Sequence, residues 1–213
     1  MRPRAAVLTT LLLAGLIGLA NAKAPSPEPA TGYASPKAVF AAAVEASKKK
    51  DFKTFAGLLT TESQGKLASQ LAGLGAMLKM MAAFDKEGKM KDKLPELEKI
   101  MDKHGLTKDV MGKLKQTKDP KEIEANNKTI AAVIKDKPAF VADVMKWLDA
   151  ANPGKSKGGP LDDAELKDVK VNGDKATGTV VTKVSGKEEP MEFAKVGGGW
   201  RIVLPEPKAK DKK

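Results

Sequence analysis

One histidine (His104), one tyrosine (Tyr33) and no cysteine leave this chain few routes to catalysis. Without thiols there is no cysteine nucleophile, no Cys-type zinc site and no lipid-modified cysteine. A lone histidine leaves a His-based metal site short of its second ligand. His104 precedes Gly105 at the end of a helix expected over 95–104. The helix dipole favours a cation there, so capping outweighs the role of catalytic base. Asp149, Asp162, Asp163 and Glu165 gather around one loop, and a carboxylate pair there could move protons in general acid–base chemistry. Adjacent acids in a Gly- and Lys-rich loop are ordinarily solvated, and these are read so. Gly154-Lys155-Ser156 matches the end of a phosphate-binding loop, but Asp149 stands where the required earlier glycine should be. A helix precedes the motif and Gly158-Gly159-Pro160 follow it, the reverse of the required setting. The sequence therefore predicts no catalytic residue, no cofactor and no metal, which is the pattern of a non-enzyme.

The elements that must position these groups divide at that loop. Residues 35–151 read as helices and 164–204 as strands, together one α+β domain over 35–204. An N-terminal helical half is expected to pack on one face of a C-terminal four-stranded antiparallel meander sheet. Ser35-Pro36 opens the first helix with a capping hydroxyl and a proline at the first helical position. Asp51 can cap a short second helix with Phe52, Phe55, Leu58 and Leu59 inward. Leu67, Leu71, Leu74, Leu78 and Met81 recur at three- and four-residue spacing and predict a helix over 63–84. Gly65, Gly73 and Gly75 weaken it. Further helices are expected over 95–104 and 107–115, from Asp119-Pro120, and from Pro138 to just before Asn152-Pro153. Met77, Met80, Met81, Met90, Met101 and Met111 read as core filler in preference to an adaptable binding surface.

Three turns set the strand register. Asn172-Gly173 pairs Val171 with Asp174 and Val169 with Ala176. Ser185-Gly186 pairs Lys183 with Glu188, Val180 with Met191 and Gly178 with Phe193, where the glycine leaves room for the ring. Gly197-Gly198 pairs Lys195 with Trp200, Phe193 with Ile202 and Met191 with Leu204. Val169, Val171, Ala176, Val180, Met191, Phe193, Trp200, Ile202 and Leu204 then share one apolar face, because a one-residue slip would invert a whole strand.

The first residues carry an address. Arg2 and Arg4 precede an uncharged, Leu-rich stretch from Ala5 to Ala20, and Ala20-Asn21-Ala22 supplies a small-x-small exit. This predicts a cleaved secretory signal peptide over 1–22 and a periplasmic or extracellular protein. No integral membrane segment is expected after cleavage. Removing residues 1–22, with two arginines and no acid, lowers the formal charge from +11 to +9. The excess is lysine interleaved with acids, which reads first as solvated helix faces and second as attraction to an anionic envelope polymer or lipid headgroups. Nucleic acid is not an expected partner, because Tyr33, Trp147 and Trp200 cannot form a base-stacking platform. Residues 23–34 read as a Pro-rich linker that leaves Tyr33 outside the domain, and 205–213 as a Lys/Pro-rich disordered tail.

Ser35-Pro36 through Leu59, Val171-Asn172-Gly173-Asp174-Lys175-Ala176, and Phe193 through Val203 together resemble small bacterial exported domains of the nuclear transport factor 2-like (cystatin-like) superfamily. The resemblance implies a curved sheet wrapped around helices, often enclosing a pocket. Enzymes of that superfamily tend to place Tyr, Asp or His at the pocket floor, whereas the inner sheet face here is apolar. The long helical segment 63–151 departs from the pattern and either fills or lids the cone. The leading expectation is an exported, non-enzymatic domain with a binding or supporting role in the cell envelope. An alternative is a binder of a small apolar ligand, with Val180, Met191, Phe193, Trp200 and Ile202 lining a pocket under the helices. A second alternative is a small-molecule isomerase or hydrolase of the same fold.

Overall fold

The computed structural model describes residues 32–83, 91–115, 117, 119–151, 161–183 and 186–205. The signal segment, most of the proline-rich stretch, the Gly154-Lys155-Ser156 loop and most of the C-terminal tail lie outside the described residues.

The chain is α+β, with its helices before its strands. Helix α1 (Pro36–Lys48) begins where the Ser35 hydroxyl accepts a hydrogen bond from the Ala38 N–H at 3.2 Å. That satisfies one of the donors left open by the first helical turn. Asp51 does the same for α2 (Phe52–Gly57), taking the Thr54 N–H at 3.1 Å. Next come α3 (Thr61–Ala83), α4 (Leu94–Lys103) and α5 (Lys108–Gly112), capped by Thr107. The last two are α6 (Pro120–Val133), capped by Asp119, and α7 (Lys137–Ala151). Strands β1 (Ala164–Asn172), β2 (Lys175–Thr182), β3 (Glu188–Val196) and β4 (Gly199–Val203) form an antiparallel meander in that order.

The last hairpin has the expected register: Lys195 faces Trp200 and Phe193 faces Ile202 across a Gly197-Gly198 turn, both glycines at positive φ. This ladder ends at Glu192 and Val203, so the expected Met191–Leu204 pair falls beyond it. The other two hairpins differ from expectation. Asn172 pairs with Lys175, which makes Gly173-Asp174 the turn and puts Val171 opposite Ala176. Between β2 and β3 the connection is longer than two residues: the Thr182 N–H reaches Lys187 O at 3.0 Å and the Gly186 N–H reaches Thr182 O at 2.8 Å. Ala176 therefore faces Phe193, Gly178 faces Met191, and Glu188 stands opposite Val181, without the expected Lys183 partner. A two-residue slip preserves faces, so Ala176, Val180 and Phe193 stay inward.

A bulge in β1 does change the faces. The register shifts between Lys167 and Lys170, and Asp168 takes a left-handed φ of 51°. Leu166 moves to the inner face, opposite Val180. Gly178 makes room for this strand, not for Phe193: a Cβ on it would stand 2.7 Å from Leu166 Cδ1 and 3.4 Å from Val169 Cγ2. Val171, expected inside, is 58 % exposed beside the β1–β2 turn.

The helices do not all roof the sheet. Val39, Phe40 and Ala43 of α1, with Leu58 and Leu59 after α2, pack on Ala176, Val180, Phe193, Trp200 and Ile202. Most of the remaining helical residues build a second core around Leu71, Leu97, Ile134, Phe140, Val144 and Trp147. Segment 63–151 thus mainly packs on itself, with Leu67 touching both cores. The outer edge of β4 is sealed by backbone bonds: Trp200 N–H to Tyr33 O at 2.8 Å, Ile202 N–H to Leu58 O at 3.0 Å and Thr60 N–H to Ile202 O at 2.9 Å. Tyr33, read from sequence as linker, is joined to the sheet.

Candidate functional site

Two helices carry the same short pattern. In α4, Glu96, Lys99, Ile100 and Lys103 stand at i, i+3, i+4 and i+7; in α7, Asp143, Lys146, Trp147 and Ala150 do the same. That spacing puts each set on one helix face. The helices run antiparallel, as three ties show. At one end Lys103 Nζ is 2.8 Å from Asp143 Oδ2. At the other, Lys93 Nζ reaches Ala151 O at 2.6 Å and Trp147 Nε1 donates to Lys93 O at 3.2 Å. The two stripes therefore face each other and line a groove of about 460 Å3. Its floor is Ile100, Trp147 and Ala150, and its rim is Lys99, Lys103, Lys146, Glu96 and Asp143.

The Asp143 end is a closed electrostatic knot. His104, the C-cap residue of α4, brings Nε2 to 2.9 Å from the same Oδ2 that Lys103 holds. The His104 ring packs edge-on to Phe140 with centroids 5.3 Å apart, and its side chain is 8 % exposed. Burial pushes the Asp143 carboxyl up, but hydrogen bonds and charge from Lys103 and His104 outweigh it and hold the group below the usual carboxylate range.

The residues singled out from sequence lie elsewhere. Val180, Phe193, Trp200 and Ile202 are brought together and buried, with Met191 half-buried beside them, and α1 packs on that face. A groove of about 380 Å3 between α1 and β1 is lined by Phe40, Val44 and Leu166, and one of about 360 Å3 by Thr60, Gln64 and Arg201. A third, of about 260 Å3, lies against Met101, Leu106 and Met111. None of these four grooves is lined by the five sheet residues.

The acids around the loop go to separate duties. Asp149 pairs with Lys50 at 2.7 Å, Asp162 accepts from the buried Ser47 hydroxyl at 2.9 Å, and Glu165 is exposed on β1. Among the described residues no cluster of three or more His, Asp or Glu could hold a metal ion. Gly154 to Gly158 also has the Gly-x-Ser-x-Gly spacing of a nucleophile elbow, but that motif sits between a strand and a helix, whereas α7 precedes this one and β1 follows it. Of the methionines, Met101 is core and Met77 is 49 % exposed, while the side chains of Met80, Met81 and Met90 lie outside the described residues. Among the described residues no helix is long and apolar enough to cross a membrane.

Sequence reasoning missed Asp143, Lys99 and Lys146. The matching stripes were a usable signal, but their meaning needs the antiparallel pairing of two helices about 40 residues apart in the chain. In comparisons with known proteins, no family model, no curated protein and no solved structure matches this chain.

Proposed function

We propose that the protein is an exported, non-enzymatic domain that binds or supports other components of the cell envelope. The observation that carries this reading is the use made of its one histidine. His104 is almost buried and bonded to an aspartate that a lysine also holds, so it ties α4 to α7. A general base needs access to a substrate proton, and this ring is instead almost buried, packed against Phe140 with Nε2 held by Asp143. The basic start, Leu-rich stretch and Ala-Asn-Ala exit of the first 22 residues support export, and the lysine excess supports attraction to anionic envelope material. The resemblance to nuclear transport factor 2-like domains belongs to the same proposal, supported by α1 lying across a meander sheet.

Expression in a bacterial host with fractionation and intact-mass measurement tests the reading. The expected result is a periplasmic or secreted protein starting at Lys23 that co-sediments with envelope fractions and releases in high salt. A cytosolic protein retaining residues 1–22 overturns it.

A further inference from the structure

We infer that the groove between α4 and α7 is a binding site for a single-chain amphipathic anion, a medium-chain fatty-acid carboxylate. The assignment rests on the reading that this protein binds its ligand and does not transform it. The antiparallel ties at both ends of the groove set the level of every residue along it. Lys103 and His104 meet Asp143, and Lys93 meets Ala151, so Lys99 and Lys146 stand on opposite walls at the same level. Both are exposed, and among the described residues neither side chain takes part in a hydrogen bond or ion pair. Both therefore have charge available for a bound anion, unlike Lys50, Lys79, Lys115 and Lys128, which are matched to an acid.

Between the two lysines the floor is apolar. Ile100 and Trp147 meet there, with the Trp147 indole N–H already satisfied by Lys93 O, so the ring presents carbon to the groove. Asp143 does not oppose an anion at this level, because Lys103 already compensates its charge and His104 hydrogen-bonds the same oxygen. Glu96 stands one turn away from Lys99, toward Ala150, and the uncharged tail would run on that side. A carboxylate between Lys99 and Lys146 with its chain along Ile100, Trp147 and Ala150 satisfies both the charge and the apolar surface. The volume of about 460 Å3 falls within the range of small-molecule sites, roughly 300–1,000 Å3.

Calorimetric titration of the purified protein with dodecanoate, below its micelle concentration, tests the site. The expected result is saturable binding of one dodecanoate per chain. Lys99→Glu with Lys146→Glu should weaken it at least tenfold, and Lys99→Gln with Lys146→Gln by a smaller factor. Lys170→Glu with Lys195→Glu, which changes the net charge equally on the sheet, should leave it unchanged. Dodecyl maltoside, with the same chain and no charge, should bind at least tenfold more weakly than dodecanoate. Circular dichroism confirms that the variants fold. Absence of binding, equal binding by the Lys99/Lys146 variants, or equal binding of the maltoside overturns the assignment. So does a concentration-dependent dimer that the Lys99/Lys146 variants abolish and dodecanoate does not dissociate, since a second copy would then occupy the groove. Conversion of dodecanoate to a new product would instead overturn the non-enzymatic reading itself.

Discussion

The sheet core and the helical core hold themselves together by different means. Around the sheet, large apolar side chains from α1 and four strands close on one another, and backbone hydrogen bonds from Tyr33, Leu58 and Thr60 finish the β4 edge. In the helical core, small residues such as Ala68 and Ala72 let helices approach, and the ties between helices are made by side chains: Lys79 with Glu98, Lys103 and His104 with Asp143, and Trp147 with the Lys93 carbonyl. Directional backbone bonding fixes a strand's partner to the residue, whereas packing and rim charges leave helices more freedom to shift. Lys99 and Lys146 belong to the helical half, which is the half better able to adjust to a partner.

Each core holds one of the two tryptophans, Trp200 in the sheet and Trp147 between helices, so the contrast can be measured. The largest effect is expected from Phe193→Ala. Loss of this fully buried ring should cost about 3–5 kcal/mol. In a Trp147→Phe background, where Trp200 alone reports, denaturant unfolding should show that loss in full; an unchanged Trp200 transition beside a shifted Trp147 transition in a Trp200→Phe background would dissolve the division into two cores. Gly178→Ala comes next. Its new methyl would meet Leu166 and the Lys167 carbonyl, and overpacking of this kind costs about 1–3 kcal/mol. Leu166→Ala should recover part of that loss in a double-mutant cycle, and simple additivity would contradict the bulged register. Ser35→Ala removes the cap of α1 and should lower stability by about 1 kcal/mol, read from the Trp200 transition.

The smallest effect is a pH dependence confined to the helical half. Asp143 titrates lower in the folded protein than in the unfolded chain. Its contribution is therefore complete above the unfolded value of about 3.9 and is lost as pH falls through the lowered folded value. Asp143→Asn should flatten the acid limb followed by Trp147 fluorescence and leave that followed by Trp200 little changed. An acid limb identical in wild type and variant would remove Asp143 as the cause.

Much of the architecture was legible in the sequence because its signals are local. Ser35-Pro36, Asp51 and Asp119-Pro120 each cap the helix expected of them, and Gly197-Gly198 sets its hairpin. Alternation placed Ala176, Val180, Phe193 and Trp200 inside, and a two-residue slip between β2 and β3 did no harm because it preserves parity. The bulge at Asp168 was not legible, since a left-handed aspartate in mid-strand has no local sequence mark, and with it went the position of Leu166; Val171 keeps its expected face but is exposed beside the turn. The groove between α4 and α7 was hidden for another reason. Glu96, Lys99, Asp143 and Lys146 look like ordinary solvated helix faces until the fold sets them side by side.

The kink at Asp168 has one more effect, on what lies beside the molecule. Among the described residues β1 has β2 as its sole neighbour, so its other rim offers open amide and carbonyl groups. A straight, flat rim of that kind is a template on which further chains can stack. Here the rim is bent in the middle and carries Lys167 and Lys170 on either side of the bend. An approaching strand would find neither a continuous row of partners nor a neutral surface, and the ribbon stops growing at its fourth member.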